Sequence, residues 1–389
     1  MKSQLSHRQL FMPIYLPAFL LGIPAQASLV LLPLYILHLG ESAAAAAAIV
    51  GVRALGMMFM DIPAGMLAAR FGDKVLMLGA VAAIALSHLA FALSGELWIL
   101  YVIAFFYGAG GSSFLLGRMS YLTDTLSASA RGRAIAMIAG SMRISALVGP
   151  ALGAILAQRV SYEAAFYVGA ILATSSWFCV KHYANDEQQQ QEYVPFSKVV
   201  QIGRDYSSVF LTAGTGAVLF MLLRSARTVM VPLVGSSLSL DTETIGLIVS
   251  ISAAVDVVMF YPAGLIMDKY GRRATAVPSS ILFTLALASL AMADNFVTLL
   301  SVAVFLGFAN GLSTGIVMAL GTDLAPPTSR AGFLGIWRLL TDFGTSAGPM
   351  AVGAIVTTAP LSAAALSISA VGALGCVVVY RYVEETLQR

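Results

Sequence analysis

The chain has 389 residues, 59% of them hydrophobic and 11% charged, with a mean hydropathy of +0.86 and a formal net charge of +3. Soluble domains carry roughly a quarter charged residues, and no single core hides apolar stretches of about 20 residues repeated along a whole chain. A soluble globular protein is therefore excluded, and the absence of alternating segments of about 10 residues argues against a transmembrane barrel.

Apolar spans are predicted at 11–37, 43–68, 75–94, 97–123, 134–157 and 162–183, and after a polar stretch at 206–235, 243–267, 275–293, 296–322, 332–357 and 361–383. All twelve are expected to be helices, because lipid offers no partner for unpaired backbone groups. Those longer than about 20 residues imply tilt or extension beyond the hydrocarbon. The first span follows Lys2, His7 and Arg8 as a signal peptide would, but its apolar run is too long for one and more spans follow, so it reads as a retained helix. Asn185, Asp186, Glu187 and the Gln188–Gln191 run make 184–205 a polar linker with room for one short interfacial helix. The expected organisation is a six-helix half at 1–183, the linker at 184–205 and a second six-helix half at 206–389. Cys179 and Cys376 both fall inside spans, which suggests neither a disulfide framework nor a metal site.

Outside the spans, every lysine and arginine except Arg159 falls on the side of the N-terminus. The positive-inside rule then places both termini in the cytoplasm, which requires an even number of spans and supports twelve independently of hydropathy.

A single offset of 199 residues relates the two halves. It maps Pro33 to Pro232, Pro63-Ala64-Gly65 to Pro262-Ala263-Gly264, Gly72 to Gly271 and Gly108 to Gly307. It also maps Asp124 to Asp323, Arg131 to Arg330 and Gly149-Pro150 to Gly348-Pro349. The matches fall on glycine, proline and charge, which set backbone shape and loop contacts. Duplicated parallel halves are a recurring transporter plan, with substrate bound between them near the midplane.

The turn after the eighth span reads Gly264-Leu-Ile-Met-Asp268-Lys269-Tyr-Gly271-Arg272-Arg273. Gly264 allows close helix approach and Gly271 a tight turn. Asp268 is placed to meet the N-terminus of a neighbouring helix or an arginine such as Arg330. This segment resembles the loop signature of the major facilitator superfamily, G-x-x-x-D-[RK]-x-G-[RK]-[RK], and with twelve spans and the duplication the resemblance covers nearly the whole chain. It implies the all-α major facilitator fold of twelve transmembrane helices in two pseudo-symmetric halves. It also implies that this loop, with Asp124, Arg131, Asp323 and Arg330, forms a latch favouring an outward-facing state. Lys269, Arg272 and Arg273 serve equally as positive-inside determinants. The first copy, Gly65 to Lys74, has Ala69 in place of the acid, so the latch is expected to be lopsided.

Ser145-x-x-x-Gly149-Pro150-x-x-Gly153 in the fifth span resembles the helix-5 motif of the family's antiporter branches, with Ser145 and Ala154 replacing glycines; close helix packing explains it equally well. The fourth span has Ala104 where the drug-antiporter branch usually carries arginine. Arg118, Tyr121 and Asp124 instead share one face at its end.

Ionisable groups inside spans are costly and point to function. Counting along the helices at about 1.5 Å per residue brings Arg53, Arg143, Asp256 and Asp342 to one level, on the second, fifth, eighth and eleventh spans. In the family these helices meet between the halves, so Arg143–Asp256 and Arg53–Asp342 are the expected cross-half pairs. Arg224 and Arg227 either bind a carboxylate or phosphate or pair with Asp256 and backbone carbonyls. Asn310 either lines the cavity or bonds a neighbouring helix, and Arg338 completes the set of candidates on a substrate or proton pathway.

No nucleotide-binding loop, metal motif or nucleophile–base cluster appears. The expectation is a transporter rather than an enzyme, with no cofactor, no metal and no nucleic acid, monomeric among its lipids. The resemblance implies secondary active transport in a bacterial inner membrane, with proton-coupled efflux of a small organic, drug-like or metabolite solute as the leading reading. Facilitated or proton-coupled movement of an organic anion is the alternative.

Overall fold

A computed structural model describes residues 9–126, 128–185, 196–382 and 385. Among them are twelve helices long and apolar enough to cross a membrane. Spans 1 to 6 are Phe11–His38, Ala43–Phe71, Asp73–Leu93, Leu97–Thr123, Ala130–Arg159 and Tyr162–Tyr183. Spans 7 to 12 are Ser207–Ser237, Thr242–Tyr270, Arg273–Met292, Phe296–Leu324, Gly332–Val356 and Leu361–Tyr382. A short helix, Phe196–Asp205, precedes span 7 and lays Ile202 against span 11 at Gly332.

Hydropathy places the spans within a few residues, and the local signals that end them explain the rest. Spans 2 and 8 run past their apolar stretches to Phe71 and Tyr270, where Gly72 (φ 87°) and Gly271 (φ 101°) stop them in a backbone conformation that a side chain would strain. At their other ends, Ser42 and Asp241 accept the backbone N–H of Ala45 and Thr244. The 199-residue offset relates both pairs of caps. It also relates two single π-helical turns, Phe11–Tyr15 at the start of span 1 and Phe210–Gly214 in span 7.

Small residues set the packing distances. A Cβ on Gly108 of span 4 would strike the backbone oxygen of Arg53 in span 2, and one on Gly307 of span 10 would strike that of Ser252 in span 8. Gly149 and Gly153 bring span 5 onto span 1 at Ile23 and Ala27, and Gly344 and Gly348 bring span 11 onto span 7 at Val218 and Leu222. The small-residue motifs of spans 5 and 11 thus shape contacts among the first six and among the last six helices.

The two groups of six meet along span 2 with span 11 and span 5 with span 8. On the side away from the N-terminus this seam is closed. Gly353 of span 11 lies against Ala44 and Ala47, and Gly246 of span 8 against Pro150 and Ala154. The Ser250 hydroxyl accepts from the Ala151 N–H at 3.0 Å, beside the kink-forming Pro150. Arg159 forks onto Glu243 at 2.9 and 2.8 Å, and the Tyr162 and Thr242 hydroxyls are 2.8 Å apart. On the N-terminal side the packing is open: a Cβ on Gly65, Gly264 or Gly335 would meet nothing within 4 Å.

Candidate functional site

A cavity of about 390 Å³ lies between the two groups of six helices. Its charged lining is Arg53, Arg224, Arg227 and Asp256, three guanidiniums against one carboxylate, beside Asn310 and Gln26. The rest is mostly apolar, as ligand cavities are.

Asn310 both lines this space and bonds its neighbours, so the two alternatives the sequence left open are both realised. Its carbonyl accepts from Arg224 Nε at 2.9 Å and its amide donates to Asp256 Oδ2 at 2.5 Å, making a relay across spans 7, 10 and 8. Thr314 donates to the other Asp256 oxygen at 3.4 Å. Arg227 reaches the Leu306 carbonyl at 3.5 Å. Arg53 lies 5.2 Å from the Tyr107 ring centroid, and its buried Nε has no hydrogen-bond partner. An underused guanidinium facing a cavity offers donors in the planar fork that fits a carboxylate or phosphate.

Span 10 is interrupted beside this relay. Its helix stops at Leu312, Gly315 takes a left-handed conformation (φ 86°), and a second piece runs Ile316–Leu324. Sequence reading treated 296–322 as one uninterrupted helix. The signal available was Ser313-Thr314-Gly315, three poor helix formers in an apolar run.

This conformation closes neither expected cross-half ion pair. Arg143 is not among the cavity-lining residues and sits 3.6 Å from the Phe260 ring centroid, so span 5 meets span 8 through a cation–aromatic contact. Asp342 is also away from the cavity and is not paired with Arg53. It faces Arg338, its i,i+4 neighbour, with Nε to Oδ2 at 3.5 Å. Arg338 also bridges to Asp61 of span 2 at 2.9 Å and to Ser112 of span 4 at 3.1 Å, and Ser112 donates to Asp61. The reason is geometric: Arg53 turns back over Tyr107 of its own six-helix group, while Asp61 lies two turns further along span 2, opposite Arg338. Counting depth gave the right helices but not the partners, because Asp61 was not among the charges it brought to one level.

The loop residues are likewise rearranged from the expected latch. Asp268 is 76% exposed; the cation near it is Arg272, at 3.8 Å in its own loop, rather than Arg330. Arg272 turns to Asp323 at 2.8 Å, and its backbone N–H and that of Arg273 donate to Glu385 at 2.9 and 3.1 Å. Arg273 also donates to the Tyr380 carbonyl at 2.6 Å, and Lys269 lies 5.2 Å from the Tyr270 ring centroid. Arg131 donates to the carbonyls of Thr123 and Leu126. The side chain of Asp124 is outside the described residues. Gly264 has no neighbouring helix against it, contrary to the close approach the motif suggested.

The model of one family, the Major Facilitator Superfamily, matches residues 14–211 and again 213–389. The chain belongs to the major facilitator superfamily. Its major facilitator relatives include the hexuronate transporter of Bacillus subtilis, 25% identical over 185 residues, 48% of this chain and 44% of that protein. Another is the inner membrane transport protein YajR of Escherichia coli, 30% identical over 136 residues, 35% of this chain and 30% of that one. The chain thus spans less than half the length of these two. It matches the multidrug resistance protein MdtH of Yersinia pestis over 318 residues, 80% of this chain and 77% of that one, at 22% identity. Among solved structures, a nucleoside transporter, NupG, superposes with a TM-score of 0.80 at 15% identity, covering 97% of this chain and all of that one. A D-xylose–proton symporter follows at 0.76 and 16%, covering 97% and 98%. These likenesses establish the fold. The chain is an integral membrane protein of a family of secondary transporters.

Proposed function

We propose that this protein moves a small organic anion through the membrane by alternating access, coupled to protons, with substrate held in the cavity between the two six-helix halves. The observation that carries this reading is the lining: three guanidiniums face one carboxylate, and Arg53 keeps a buried donor unpartnered. Uncompensated cations at that depth are costly unless they have work to do. The relative named for hexuronate handles a sugar carboxylate, which is the same chemistry.

Uptake of radiolabelled organic carboxylates into proteoliposomes, run beside cationic dyes, tests it. Saturable carboxylate uptake is expected, reduced tenfold or more in Arg53→Gln with the melting temperature preserved. Transport of the dyes alone would overturn the anion assignment. The second reading, proton-driven export of a drug-like solute from a bacterial cytoplasm, is favoured by the match to MdtH across 80% of the chain, and the dye arm detects it.

The closed seam on one side and the parted glycines on the other correspond, with the termini in the cytoplasm, to an inward-facing state with the loop latch released. The side chain of Asp268 is exposed here, so Asp268→Asn is expected to leave the melting temperature unchanged. Transport should fall severalfold in a vesicle flux assay, because the outward-facing state loses its latch. An unaltered flux would remove this loop from the cycle.

A further inference from the structure

The group Asp61–Arg338–Asp342–Ser112 stands apart from the cavity and is not used by the binding reading above. Asp61 comes from span 2 in the first group of six helices; Arg338 and Asp342 come from span 11 in the second. Two carboxylates thus share one guanidinium, leaving a surplus negative charge inside the membrane. The Asp61 side chain is only 7% exposed and that of Asp342 19%. Asp61 Oδ2 and Asp342 Oδ2 are both buried with no hydrogen-bond partner, and both carboxyls are held on the same guanidinium, Asp61 at 2.9 Å and Asp342 at 3.5 Å. Unpartnered carboxylate oxygens in a low-dielectric site are expensive, and a single hydrogen between them would satisfy both.

We propose that Asp61 and Asp342 hold one exchangeable proton between them, against Arg338 and Ser112, and that this is the proton of the transport cycle. The inference rests on the proton-coupled reading above and names the site that carries its proton. In the loaded form one Oδ2 carries the hydrogen and donates to the other; the remaining charge of −1 is matched by Arg338. Only an O–H bond forms, and water on the open side supplies and receives the proton. The charged group facing Asp342 is Arg338 from its own span, which also holds Asp61 from span 2. Span 4 contributes the Ser112 hydroxyl, and span 7 turns Val218 and Met221 toward span 11 at Gly344. Asp256 is unlike this pair, because both of its oxygens accept hydrogen bonds, from Asn310 and Thr314.

Coupling follows from where the two acids are rooted. While spans 2 and 11 touch, both carboxyls are held on Arg338, and two negative charges in one buried site cost more than one. Because the two acids belong to different halves, the rocking of spans 2 and 11 that changes the open side also changes the contact that holds the proton. The internal offset maps Asp61 to Phe260 and Asp342 to Arg143. The matching contact of spans 5 and 8 is therefore Arg143 over Phe260, with no acid to load, so this device occurs on one seam.

The test needs no known substrate. Infrared spectroscopy of the purified protein in nanodiscs, titrated with acid and base in potassium buffer, reads the carbonyl band of a buried protonated carboxyl. One such group per chain is expected. The band should vanish in both Asp61→Asn and Asp342→Asn, since each removes one of the two carboxyls that share the proton, and persist in Asp256→Asn. Should the asparagine variants fail to fold, Ser112→Ala supplies the reading: losing a donor to the charged form should raise the titration midpoint by about one pH unit. A wild type without the band, a band that survives either asparagine variant, an unshifted Ser112→Ala midpoint, or displacement by sodium at fixed pH overturns the shared proton. If the band behaves as expected while no carboxylate is transported, the anion reading fails and the proton site stands.

Discussion

Gly307→Leu is expected to abolish most of the folded protein. A Cβ at this position would overlap the Ser252 carbonyl oxygen, which is backbone and cannot rotate away. Spans 8 and 10 would have to separate, and the adjacent Gly311, pressed against the Asp256 backbone, would be lifted with them. Overpacking a helix contact costs about 1–3 kcal/mol when side chains can adjust; with backbone as the obstacle, about 3 kcal/mol is the lower end. Fluorescence-detected size-exclusion chromatography should show the monodisperse peak nearly lost. Gly264→Ala is the control, with open space at its Cβ and a yield within error of wild type. Equal yields for the two variants would mean that the span 8–span 10 contact is looser than described.

The second large effect is expected from Asn310→Leu. This one side chain accepts from Arg224 and donates to Asp256, so its removal leaves a buried cation without its partner and takes one of the donors from a carboxylate. Breaking a buried charged network by deleting one member costs about 3–5 kcal/mol, and a marked drop in melting temperature should result. Adding Arg224→Met and Asp256→Asn to the Asn310→Leu background should restore most of the loss, because an apolar or neutral set of similar volume is tolerated. Transport would not return with it. A single Asn310→Leu variant that melts at the wild-type temperature would show that the three residues are not energetically coupled.

Much of this was legible in the chain. Twelve apolar stretches and the placement of lysine and arginine are properties of single segments, so composition alone exposes them. The duplication was legible for a different reason: glycine, proline and charge recur where backbone shape demands them, as at Gly72 and Gly271 or Gly108 and Gly307. Site partners were less legible. Depth counting brought Arg53 and Asp342 to one level but could not say which way Arg53 turns, and Tyr107 decided that. Asp61 fell outside that level and was passed over, while the helix runs on to Phe71 and holds Asp61 facing Arg338. Loop contacts were the least legible, since Asp268 and Arg272 have different partners in different conformations and a sequence records no conformation.

The break in span 10 has a mechanical meaning. Gly315 is the joint between a rod that holds Asn310 and a shorter rod, Ile316–Leu324, that holds Asp323. The nearest atom to a Cβ there would be the tip of Met267 at 3.9 Å, so the joint has clearance on its outer side. The short rod is clamped to the loop through Asp323 and Arg272, whereas the long rod is clamped to the cavity through Asn310. Torsion about one glycine lets the loop swing as a lever without dragging the relay out of register. A continuous helix would transmit the same swing to the cavity as a rigid shaft.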